Sequence, residues 1–105
     1  MSRLEFDLRV DSDHPSLEGH FPGNPVVPGV LLIDRVQQAL CRLTGRELVQ
    51  LKQVKFASAL RPGEAAHGLL DVDGARVSFR ISARRGDAAP LVAEGVGILS
   101  AEAPA

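Results

Sequence analysis

HPSLEGHFPGNPVVPGVLLID, residues 14–34, holds two histidines, four prolines and three glycines ahead of an apolar run that closes on Asp34. Residues 11–28 lack periodicity, and Pro15, Pro22, Pro25 and Pro28 fix φ and remove backbone donors, so this reads as a loop of imposed shape. A connection of that length favours function over simple linkage. From Pro28, placed at a first helical position, GVLLIDRVQQALCRL runs as a helix to Gly45, with Arg42 and Arg46 beside the C-terminal carbonyls. Val30, Leu31, Leu32, Ile33, Val36, Ala39, Leu40 and Leu43 leave only a narrow polar side, the pattern of a helix wrapped by a sheet.

On both sides of this helix the hydrophobic period is two. Leu4, Phe6, Leu8 and Val10 alternate with Arg3, Glu5, Asp7 and Arg9, as in a strand with one buried face. LVQLKQVKF (48–56) is a strand whose phase slips between Leu51 and Val54, the mark of a bulge. RPGE (61–64) suits a type II turn. AAHGLLDV, an Asp73-Gly74 turn, ARVSFRIS, a polar RRGD turn and LVAEGVGIL complete an antiparallel run. The order is strand, long loop, one helix, then four strands: an α+β fold with an antiparallel sheet packed on a single helix.

The 105 residues suit one domain, residues 1–105, with AEAPA frayed at the end. With no Trp, no Tyr and four Phe, the core must come from aliphatic side chains and is thin, so a partner chain covering an apolar face is expected. A net charge of −1 gives no basic field for nucleic acid. The single Cys41 cannot form an internal disulfide, and MSRLEFDLRV lacks a signal-peptide core, so a cytoplasmic protein is expected. No apolar stretch approaches the roughly 20 residues that span a bilayer.

Several residues carry possible chemistry. Asp34 stands between Ile33 and Val36, with Gln38 four residues on and therefore on the same face. A buried carboxylate is costly unless paired. Helix physics leaves two readings open: Asp34 reaches solvent or pairs with Arg35 or Arg42, or it is a catalytic acid positioned by Gln38. His20 has its backbone held by Gly19 on one side and Phe21-Pro22-Gly23 on the other, the setting in which a general base is kept in place; a satisfied surface histidine is the plainer alternative. Gly29 offers an N–H at the helix start, where the dipole favours negative charge, or simply eases a turn. The H-x5-H spacing of His14 and His20 matches no usual zinc pattern, so no metal is expected. Cys41 reads as a core thiol, His67 as structural or exposed, and Arg84-Arg85 as a solvated turn able to hold an anion.

HFPGNPVVPGVLLID, with Gln38 after it, resembles the H-F-P-G-x-P-V-x-P-G-V-L-x-x-[ED]-x-x-x-Q signature of the 3-hydroxyacyl-(acyl-carrier-protein) dehydratases, which have the hot-dog fold. The resemblance continues through KFASALRPGE and LVAEGVGIL and so covers nearly the whole chain. It implies that His20 is the catalytic histidine and Asp34 the carboxylate supplied by the other subunit. Most of the family has glutamate there, whereas the dehydratase-isomerases have aspartate. By the same resemblance the Gly29 N–H holds the thioester carbonyl, Gln38 orients the carboxylate and the Val26 carbonyl orients the histidine, with Val26, Phe21 and Val30 beside the substrate. The compact N-terminus and the wording HPSLEGHFPGNPVVPG are more similar to the compact dehydratases of pathways such as aryl polyene synthesis.

The implied reaction needs no cofactor. His20 takes a proton from C2, the helix start stabilises the enolate-like oxygen, and Asp34, in apolar surroundings that favour its protonated form, helps the 3-hydroxyl leave. The implied assembly is a homodimer or higher even oligomer, its sheets joined edge to edge, with acyl tunnels lined from the helix. The implied partner is acyl carrier protein, landing on Arg84 and Arg85 or on Arg42 with Arg46. Two alternatives stand beside this: a hot-dog acyl thioesterase, whose helix carboxylate activates water, and a non-catalytic acyl-binding subunit.

Overall fold

Period-two alternation places Phe6 and Leu8 on the buried face of β1 (Ser2–Leu8) and leaves Arg3, Glu5 and Asp7 exposed. The computed structural model describes residues 2–11 and 26–101. After β1 come α1 (Gly29–Thr44), β2 (Leu48–Phe56), β3 (Ala66–Asp73), β4 (Arg76–Ala83) and β5 (Leu91–Leu99). The strands form one sheet in the order β1-β3-β4-β5-β2, every neighbouring pair antiparallel. Leu32, Val36 and Leu40 of α1 meet Leu70, Val77, Ile81 and Val92 of the sheet in a core exposed by no more than 2% at any of these residues. The expected α+β arrangement of one helix on an antiparallel sheet is present. Among the described residues no helix is long and apolar enough to cross a membrane.

Two of the large aromatics are seated by glycine. Phe6 pairs directly with Gly68 and Phe79 with Gly95, and in each case the ring fills the place a Cβ would take. Gly63 takes φ +84° in the RPGE turn, closed by the Glu64 N–H donating to the Arg61 carbonyl at 3.1 Å, as a type II turn requires. The β3–β4 connection, however, is Gly74-Ala75 rather than Asp73-Gly74: Asp73 still pairs with Arg76, and Gly74 carries the left-handed φ of +61°.

Two bulges interrupt β2. Leu48 and Gln50 face Leu99 and Ile98, and Leu51 and Gln53 face Gly97 and Val96, so Val49 and Lys52 are the inserted residues. The slip expected between Leu51 and Val54 is the second of these. The carbonyls of Gln50 and Gln53 consequently crowd Gly97 and Gly95, where only the absence of a Cβ lets the strands approach.

The helix departs from expectation in three ways. Pro28 is the N-cap (φ −60°, ψ 143°), and Gly29, not Pro28, is the first helical residue. Gly45 ends the helix at φ +70°, its N–H donating to the Cys41 carbonyl at 3.0 Å. Second, the sheet covers only the side bearing Leu32, Val36, Ala39 and Leu40, so the helix is not enclosed all round. Val30 (75% exposed), Asp34, Gln38 and Cys41 form an outward face. Cys41 is therefore a surface thiol rather than a core one. Third, Arg46 does not sit at the surface beside the helix end: it is 7% exposed, donating from Nε to the Ser100 carbonyl and from Nη1 to the Gly74 carbonyl, each at 2.9 Å.

Candidate active site

The N-terminal end of α1 faces the end of β2 and the segment after it. Val27 donates its N–H to the Leu60 carbonyl at 2.8 Å, which ties the chain entering the helix to the 57–60 segment. Ala57 N–H donates to the Val92 carbonyl at 2.8 Å, and the Ser58 hydroxyl to the Leu91 carbonyl, fixing the same segment to β5. Between these walls lies a cavity of about 410 Å³, with Val26, Gly29, Leu32, Phe56 and Leu60 in its lining. Its surroundings are mostly apolar, apart from backbone amides at the helix start. An α-helix leaves its first amides without intrahelical acceptors, so the Gly29 N–H stands where negative charge is stabilised.

Glycine at position 29 has a steric cause. A Cβ there would meet Phe56 Cζ at 2.7 Å, so the ring lies directly on the first turn. Phe56 is a site residue that the motif around His20 and Asp34 does not include. The signal is the two-residue spacing from Val54, which puts both residues on the helix side of β2.

One turn into the helix, Gln38 Nε2 donates to Asp34 Oδ2 at 2.9 Å, the i, i+4 pairing expected from the spacing. Asp34 is exposed in the single chain, and among the described residues neither Arg35 nor Arg42 pairs with it. The carboxylate thus belongs to the outward helix face, between Val30 and Gln38, not to the apolar interior. Val26 is half-buried at the cavity, whereas Val30 points outward beside Asp34. His20 and Phe21 lie outside the described residues, as does His14.

The other candidates have different work. Arg85 pairs with Glu64, Nε to Oε2 at 2.7 Å, and donates from Nη2 to the Ala59 carbonyl at 2.7 Å, so it braces the cavity wall. Its guanidinium, with the Arg61 N–H at 2.7 Å, holds the Glu64 carboxyl at about 2, far below the ordinary carboxylate value. Arg84 donates to Asp7 at 2.9 Å on the outer face of the sheet. His67 also lies on that face, between Asp7 at 3.1 Å and Glu5 at 3.3 Å; the Asp7 hydrogen bond, then Glu5, raise its pKa. Of the arginines expected to receive an acidic partner, Arg84 and Arg85 are thus engaged by the chain's own acids and Arg46 by its carbonyls.

A family model described as ApeI-like, the ApeI dehydratase, matches residues 1–94. The 3-hydroxyacyl-[acyl-carrier-protein] dehydratase FabZ of Caulobacter sp. (strain K31) is 32% identical over 99 residues, with 81% of this chain and 61% of the relative covered. The chain therefore spans about three fifths of that curated relative's length. Among solved structures, the dehydratase heterocomplex ApeI:P from Xenorhabdus doucetiae superposes with a TM-score of 0.78 at 26% identity, over 92% of this chain and 86% of that one. An acyl-CoA hydrolase of Staphylococcus aureus superposes with a TM-score of 0.74 over 94% of this chain and 64% of that one; at 14% identity it shares the fold alone. That common architecture is the hot-dog fold.

Proposed function

This chain belongs to the ApeI-like dehydratase family, and on that premise we propose that it removes water from a 3-hydroxyacyl thioester carried on acyl carrier protein, leaving the trans-2-enoyl thioester. The observation that carries the reading is the Asp34–Gln38 pair, 2.9 Å apart, on the helix whose first amide, at Gly29, opens onto an apolar cavity. In this reading His20 takes a proton from C2 while negative charge grows on the thioester oxygen, which the Gly29 N–H accommodates. Asp34 gives a proton to the departing 3-hydroxyl, and the proton held by His20 returns to the Asp34 carboxylate through solvent, so the proton lost from C2 and the hydroxyl lost from C3 balance as one water. Gln38 holds the carboxyl's orientation, the Val26 carbonyl aligns His20, and Phe21 and Val30 flank the acyl chain.

Asp34 on an outward face needs a second copy to complete the site. The exposed apolar residues Val30, Val49, Leu51 and Phe56 lie on α1 and on the edge strand β2, so one covering surface would bury both. The reading therefore includes a homodimer joined along β2, with His20 of one copy facing Asp34 of the other.

The test is incubation of the purified protein with a panel of 3-hydroxyacyl thioesters, followed by mass spectrometry of the carrier-bound chain. Loss of one water, abolished in His20→Ala and in Asp34→Ala, is expected. Release of free thiol without an enoyl product would establish a thioesterase instead, and neither product would leave an acyl-binding subunit. Sedimentation distinguishes the assemblies: a fully active monomer would overturn the shared site, and activity gained only with a second, different subunit would replace the homodimer by a heteromeric pair.

A further inference from the structure

Gln37, the neighbour of Gln38, makes both hydrogen bonds of its amide to one residue of the edge strand. Leu48 N donates to Gln37 Oε1 at 2.7 Å, and Gln37 Nε2 donates to the Leu48 carbonyl at 3.3 Å. A strand residue normally exchanges such a pair with an adjacent strand. Here a half-buried helix side chain takes that role where β2 begins, immediately before its first register slip. Successive residues lie about 100° apart around a helix, so Gln38 serves the Asp34 face while Gln37 serves the sheet. Among the described residues these are the side-chain hydrogen bonds between α1 and β2. The contact at the other end of β2, Phe56 on Gly29, is apolar packing without directional preference.

We propose that Gln37 is a positioning residue for the dehydration: by locking Leu48 to the helix, it fixes the offset between Asp34 and the edge along which a second copy joins. This rests on the reaction and the dimer proposed above. Asp34 sits one turn before Gln37 on a rigid element, and in the proposed dimer the base and this acid come together across the β2 contact. A slide of α1 along the sheet therefore moves the acid relative to the base, and a misplacement of about 1 Å in such a pair costs on the order of a hundredfold in rate.

Gln37→Glu and Gln37→Met test the role. At neutral pH the glutamate opposes its negative charge to the Leu48 carbonyl. When protonated, its O–H donates to that carbonyl and its C=O accepts the Leu48 N–H, restoring the glutamine pattern. Methionine fills the space without either bond. Expected at about pH 7.5 is a fall of roughly tenfold or more in kcat for both variants, with KM within about twofold, in protein shown by sedimentation to be dimeric. As pH falls toward about 5, the ratio of Gln37→Glu to wild-type kcat at matched pH climbs, whereas the Gln37→Met ratio stays flat. Unchanged kcat in both variants, or flat ratios of equal size in both, would reduce Gln37 to packing and overturn the proposal. A wild-type protein that forms no enoyl product would instead overturn the reaction and this role with it.

Discussion

The ring of Phe56 occupies the space that a side chain on Gly29 would need: an ideal Cβ would lie 2.7 Å from Cζ and 2.8 Å from Cε1. Phe56 is 55% exposed, so an added methyl displaces a ring that can turn aside, not backbone. Gly29→Ala is therefore expected to change folding stability by less than about 1 kcal/mol, since alanine is also the better helix former. The displaced ring obstructs the cavity mouth, and kcat/KM is expected to fall by about tenfold or more. Gly29→Ala with Phe56→Leu should recover part of that loss. Denaturant unfolding and steady-state turnover on the same preparations separate the effects; full turnover in Gly29→Ala would make the contact incidental.

Gly95 behaves oppositely because its neighbour is backbone. A Cβ there would lie 2.6 Å from the Gln53 carbonyl oxygen and 2.5 Å from Phe79 Cζ. The carbonyl is held by the bulged β2 ladder and the ring is 3% exposed, so neither yields cheaply. Gly95→Ala is expected to lose about 1–3 kcal/mol in urea unfolding, the usual range for overpacking. A loss below half a kilocalorie would mean that the bulge rearranges freely.

These two glycines mark how far sequence alone reaches. Strand periodicity located β2 and β5 to their end residues, and the slip after Leu51 announced a bulge because an inserted residue reverses the alternation. The glycines opposite it carry no such signal, since their necessity comes from carbonyls on another strand. The apolar helix pattern predicts enclosure by one sheet, yet Val30 faces outward with Asp34 and Cys41. Hydrophobicity records that a surface is to be covered but not whether the same chain covers it. Arg46 misled for a related reason: its acceptors, Ser100 and Gly74, are main-chain carbonyls brought in from distant strand ends.

Arg46→Met keeps most of the apolar stem and removes the donors to those two carbonyls. Leaving buried acceptors without partners costs about 1–3 kcal/mol, so a lowered urea midpoint is expected. Arg46→Lys is expected to recover little of the loss, because one ammonium cannot reproduce the planar fork that reaches two carbonyls. Turnover per folded molecule stays at the wild-type level, because this latch joins the helix end to the far ends of the sheet and lies away from the cavity. A variant as stable as the wild type would refute the latch.

Acid acts on the cavity wall through Glu64. Its carboxyl titrates at about 2, chiefly through the Arg85 hydrogen bond, against an ordinary value of 4.5. A group whose pKa is depressed by folding contributes stability above its unfolded value and loses it as pH falls through the folded one. The contribution is thus complete above about 4.5 and erodes from there down to about 2. His67 has the opposite slope: Asp7 and Glu5 raise its pKa, so its contribution is complete below the ordinary value of 6.5 and fades as pH rises through the folded one. Arg85→Leu removes the largest cause of the Glu64 depression and frees the Ala59 carbonyl that the same guanidinium holds. In a pH series of urea midpoints between about 2 and 9, this variant is expected to be less stable than the wild type above about pH 4.5 and to show a flatter acid decline, with the His67 limb above pH 6.5 unchanged. An acid decline as steep as the wild type's would show that Arg85 is not what holds Glu64 ionised.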